Sequence, residues 1–188
     1  MKAIIREKGV NAFLIRLWLK ENYGESGLAN MIARLSQDSK EMLIAPVSSE
    51  WYPVVLLKET YSAMSDAYGT SKLTEYGRFA AEHSLKGFLR YLTRFLSMQQ
   101  LIKRMGAFWK QYHKGGGISA GEVYLNGDRK EVTVTVRARE LGKAGCDVIQ
   151  GYLEGLIPLT KVTDPRIQKQ TCIHKGDEVC TWLVSWTP

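Results

Sequence analysis

The sequence predicts an α+β domain, with N-terminal helices packed on an antiparallel sheet of about four strands. Two observations predict it. Apolar residues recur at helical spacing through the first two thirds of the chain, and strict alternation replaces that period after the triple glycine at 115–117. The resulting order of helices, hairpin, helix and hairpin departs from the strand–helix alternation of a parallel α/β sheet.

Each element has a local justification. Val10, Phe13, Leu14, Leu17 and Trp18 lie on one face of a helix that should stop near Gly24. Leu28 to Leu35 forms a second helix ending at SQDS. In SSEWYP a serine offers a cap, and Pro53 suits the first turn of a helix reaching about Tyr68. The helical region from Ser71 to Leu96 contains Gly77 and Gly87, each costing about 1 kcal/mol relative to Ala in mid-helix. Such glycines point to a break or a close helix approach. Ser97 can cap the next helix, MQQLIKRMGAFWKQYH. Beyond the glycines, Val123 and Leu125, then Asn126-Gly127, then VTVTVRA read as a hairpin. Residues 141–157 return to helical spacing, and strands follow at roughly 167–174 and 178–186. With no repeat or linker, 1–188 is read as one domain, helical over 1–113 and sheet-forming over 118–188.

Bulk properties exclude several classes. Arg6, Glu7, Lys8, Arg16 and Lys20 interrupt the apolar residues of the N-terminal region, so neither a signal peptide nor a transmembrane span is expected there. Three cysteines, an odd number, argue against a secreted disulfide framework and for a cytoplasmic, reducing location. The net charge of +7 raises the question of an anionic partner. Lys86, Arg90 and Arg94 nevertheless lie opposite the apolar Leu85, Phe88, Leu89, Leu92, Phe95 and Leu96, as on any solvated helix face. No nucleic-acid-binding signature accompanies them, and a nucleic-acid partner is not expected.

The chemistry concentrates in TCIHKGDEVCTWLVSW, residues 171–186. A hairpin folded about Gly176 sets Cys172 opposite Cys180 and His174 opposite Glu178, all on one face. Cys146, in the preceding helix, is a candidate third thiol, and His174 a candidate fourth ligand. Three readings stand at this point. The thiols hold a soft or borderline ion, zinc above all; or two of them form a redox pair; or they pack as small hydrophobes.

Cys146, Gly151 and Gly155, followed by TCIHKGDEVCTW, resemble the C-terminal part of the 4-vinyl reductase-like domain. That part has a cysteine in a Gly-rich helix, then a cysteine, a Gly-Asp and a further cysteine before an aromatic strand residue, here Trp182. The N-terminal KGVNAFLIRLWLKENYG and WYP look like the helical lead-in of a wider group that includes heme–nitric oxide binding domains and vesicle-tethering TRAPP subunits. The resemblance implies a small-molecule-binding sensor or regulatory domain holding an apolar or tetrapyrrole-like ligand. It also implies a homodimer, a regulatory protein partner, and metal ligation by Cys146, Cys172 and Cys180. The alternative it implies is an accessory protein or reductase acting on a tetrapyrrole vinyl group. No Gly-rich dinucleotide fingerprint follows a strand here, so a non-enzymatic role is the first expectation.

Candidate lining for an apolar pocket comprises Trp51, Phe79, His83, Phe88, Tyr91, Phe95 and Trp109, all residue types that also build ordinary cores. Heme relatives use a helical histidine as iron ligand and a Tyr-x-Ser-x-Arg motif for the propionates. That motif is missing, and His83 and His113 are the only histidines outside the hairpin. Heme therefore ranks below zinc as the expected cofactor.

Overall fold

The computed structural model describes residues 5–84 and 97–187. Its elements in order are β1 (Arg6–Lys8), α1 (Val10–Ala33), α2 (Gln37–Ile44), β2 (Trp51–Pro53), α3 (Val54–Tyr68), α4 (Thr70–Ser84), α5 (Met98–Tyr112), β3 (His113–Lys114), β4 (Gly117–Ala120), β5 (Tyr124–Asn126), β6 (Arg129–Arg137), α6 (Gly142–Leu156), β7 (Thr163–Thr171) and β8 (Cys180–Thr187). The α+β class and the helices-then-sheet order are as expected. The antiparallel main sheet runs β4-β6-β8-β7, with β5 also paired to β6. A small second sheet, β2-β1-β3, was not anticipated, because its strands are too short to show alternation.

Local signals account for most of the boundaries. Gly24 adopts φ 68° and breaks the helical path inside α1, at the stop the spacing predicts. Ser97 and Gln100 form a reciprocal capping box at the start of α5. Two expectations need correction. Pro53 ends β2 and precedes α3 rather than entering its first turn, and α3 has no side-chain cap. SQDS does not simply close a helix, because Gln37 begins α2. The cap of α2 is tertiary: the Glu59 carboxylate on α3 accepts the Ser36 N–H and the Ser36 and Ser39 hydroxyls. Burial raises the Glu59 pKa, but those donors outweigh it and hold the carboxyl below its usual range.

The interior has two parts. Leu14, Ile15, Trp18, Leu57, Met64 and Leu73 belong to a helical core, and Val132, Val134, Val136, Trp182, Val184 and Leu101 to a core beneath the sheet. Alternation places Cys180, Trp182, Val184 and Trp186 of β8 inward, opposite Val136, Val134, Val132 and Lys130 of β6. Full burial of a side chain as large as Trp182 contributes on the order of 4 kcal/mol. Helix α6 serves both cores, giving Ala144 and Val148 to the first and Cys146 and Leu153 to the second.

That position requires α6 to sit very close to α4. A Cβ on Gly151 would lie 1.9 Å from the Thr74 carbonyl oxygen, and one on Gly77 would lie 2.2 Å from that of Val148. Gly77 therefore marks a close approach of two helices, the second of the alternatives its sequence offers. Gly87, and the basic and apolar faces expected over 85–96, lie outside the described residues. We expect Gly151→Ala to lower stability by about 3 kcal/mol in urea denaturation, because only backbone movement can relieve the overlap. A loss under about 1 kcal/mol would show that the two helices separate easily.

Candidate functional site

Three elements deliver the cysteines to one place. Cys146 projects from α6, Cys172 follows the end of β7, and Cys180 begins β8. All three are buried, and their sulfurs lie within 4.8 Å of one another. The Cys146 and Cys180 sulfurs are 3.6 Å apart, and no disulfide joins any of them.

The expected hairpin is present, but its tip differs. Thr171 pairs with Thr181, which is the register a fold about Gly176 requires. Beyond Cys172 the chain leaves the ladder and forms a 3-10 turn at Ile173–Lys175, closed by Gly176 at φ 102°. His174 is therefore not set across a strand pair from Glu178. It lies exposed on the turn and outside the cysteine group. The turn is fastened from within: the Cys172 N–H donates to Asp177 Oδ2 at 2.7 Å, and the Cys172 carbonyl accepts from Lys175 N–H at 2.8 Å. The Ile173 N–H donates to Cys180 Sγ at 3.3 Å, supplying partial positive charge to that sulfur.

Burial pushes the Cys146 thiol up to about 12, and the nearby thiols of Cys180 and Cys172 add to it against the pull of Lys169. Cys172 also feels burial, but the His174 backbone N–H and the Lys169 ammonium together bring it below its ordinary value. Lys169 is thus a member of the site that the sequence reading missed. Its ammonium acts on the three thiols, and its Nζ lies 5.1 Å from the centroid of the Trp182 ring. Strict alternation from Cys172 would set Lys169 on the opposite face; a register shift between Lys169 and Thr171 brings it opposite Trp182, so the sequence carried no signal for it. Gln150 is a second such residue: it accepts the Trp182 Nε1–H at 2.5 Å and donates to the Ile167 carbonyl. This ties α6 to both β8 and β7 beside the sulfurs.

Of the expected apolar lining, Trp51, Phe79, His83 and Trp109 fall among the described residues. Trp109 borders a recess of about 10 Å³, close to the space of a single water, together with Ile5, Glu7, Val54 and Leu141. Trp51 lies on the small sheet beneath the ammonium groups of Lys114 and Lys8, at 4.3 and 5.6 Å. Phe79 stacks on His83, whose Nδ1 bonds the Phe79 carbonyl of the preceding turn. His113 stacks on Trp109 and donates to the buried Glu7 carboxylate. Phe88, Tyr91 and Phe95 lie outside the described residues. Among the described residues, no helix is long and apolar enough to cross a membrane.

No protein-family model matches this sequence, and no curated protein matches it. Solved structures do match the fold. An H-NOX protein from S. oneidensis in the Fe(II) ligation state, carrying three substitutions, is 16% identical, with a TM-score of 0.70 over 96% of each chain. A mutant H-NOX from T. tengcongensis is 14% identical, with a TM-score of 0.65 over 96% of each chain. A Cs H-NOX mutant is 13% identical, with a TM-score of 0.66 over 96% of this chain and 95% of that one. At this identity the likeness establishes the shared fold.

Proposed function

We propose that this chain is a small-molecule-responsive regulatory domain of the 4-vinyl reductase-like type, built around a zinc ion held by Cys146, Cys172 and Cys180. The observation that carries the reading is the convergence of three buried sulfurs within 4.8 Å, from a helix and the two ends of a hairpin. Three thiolates suit a borderline-soft ion, and zinc is the most common one at such sites. Three thiolates and a divalent cation carry one net negative charge, which the Lys169 ammonium beside them offsets. The ion would fasten the hairpin tip to α6 and so join the sheet to the helix that both cores share. The fold likeness to sensor domains supports the regulatory half of the reading.

The S. oneidensis H-NOX protein is in the Fe(II) ligation state, and another structure of this fold concerns heme distortion in the H-NOX family. The recess beside Trp109 does not suit a heme. The recess beside Trp109 is far smaller than the several hundred Å³ a ligand of that size fills, and Glu7 and Glu140 line it with the wrong charge for anionic propionates. Neither His83 nor His113 borders that space.

Elemental analysis of purified protein should report about one zinc per chain, and a chain free of metal would reject the centre. Cys172→Ser and Cys180→Ser should each lower stability by about 3 kcal/mol or more if the thiols hold the ion, against about 1 to 2 kcal/mol if they only pack. The thiols should also separate by reactivity. Bound zinc should protect all three from iodoacetamide at pH 8. After chelation Cys172 should be alkylated before Cys146, because its pKa lies lower and the thiolate is the nucleophile. Peptide mass spectrometry that finds Cys146 labelled first would contradict this order.

A further inference from the structure

We infer that the metal centre at Cys146, Cys172 and Cys180 keeps one coordination position open, and that this position receives the sulfur of a small thiol. The inference rests on the zinc reading and adds to it the identity of what the centre binds.

Among the described residues, no fourth cysteine, histidine, aspartate or glutamate belongs to the group. The remaining segments, MKAI at 1–4, LKGFLRYLTRFL at 85–96 and Pro188, contain none of these residue types. The nearest candidates have other roles or places. Asp177 accepts the Cys172 N–H and holds the turn. Asp147 follows Cys146 in the chain but stands outside the group, as does the exposed His174. Tetrahedral zinc with four protein ligands is a closed structural site, whereas three protein ligands leave a position for an exogenous one.

The surroundings select the donor. An ion already bound by three sulfurs favours a further soft ligand. The Lys169 ammonium, which acts on all three thiols, favours an anionic donor over a neutral one. The Ile173 N–H on Cys180 Sγ further offsets the accumulated negative charge. A thiolate satisfies both conditions. All three cysteines are buried, and Cys172 lies at the base of an exposed turn, residues 174–178, the side from which the thiol would enter. The reaction is ligand binding: the thiol releases its proton to solvent as its sulfur bonds the ion, and no electrons are exchanged.

The test loads the full-length chain with cobalt(II) in place of zinc and titrates it with 2-mercaptoethanol. Retained cobalt is measured after gel filtration. The sulfur-to-cobalt charge-transfer band should rise by about one third and saturate at one equivalent, as a fourth sulfur joins three. The His174→Ala and Asp147→Asn proteins should give the same starting spectrum and the same response. Lys169→Met should weaken thiol binding about tenfold. A cobalt protein that ignores the thiol, or a starting spectrum altered by His174→Ala, would overturn the open position. Unaltered affinity in Lys169→Met would overturn the preference for an anionic donor. Failure of cobalt to give any charge-transfer band would instead overturn the metal centre itself.

Discussion

The backbones of α4 and α6 meet at Gly77 and Gly151, where a Cβ on either helix would overlap a carbonyl of the other. Gly155 extends the seam, since its Cβ would lie 2.9 Å from the Arg78 carbonyl oxygen and from Ala81. Few side chains can enter such a contact, so α6 is held close against the helical layer over much of its length. Its opposite side is then free to meet the sheet. The two cores are not separate folding units joined by a linker, because one helix supplies residues to both.

The cysteine group depends on this placement. Cys180 is inward because β8 alternates, and Cys172 is inward because Thr171 and Thr181 hold the register. Neither fact alone assembles the site. Cys146 reaches Cys180 because α6 lies across the sheet, with Gln150 bonded to the Trp182 indole one turn further on. Lys169 then supplies positive charge where three sulfurs crowd together. Buried thiols beside a half-buried ammonium have more chemistry open to them than thiols packed as small hydrophobes.

The sequence was most legible where a single element decides its own structure. The alternation of VTVTV, the capping box at Ser97 and the break at Gly24 are local events, and each appears where its residues indicate. It was least legible where a partner distant in sequence decides. The α2 cap is a carboxylate from α3, more than a full turn of chain away in any local reading. The strands of the small sheet exist because β1 finds β2 and β3 on either side. His174 leaves the strand because the Cys172 carbonyl accepts from Lys175, which converts an extended tip into a turn.

Residue types and their spacing determined the α+β class, the hairpin and the nearness of Cys172 to Cys180, since periodicity and turn chemistry act over a few residues. Only the tertiary structure decided that Cys146 joins them and that Lys169 stands beside them. Those outcomes depend on how α6 sits between α4 and the sheet, and the glycines of the α4–α6 seam fix only its approach to α4.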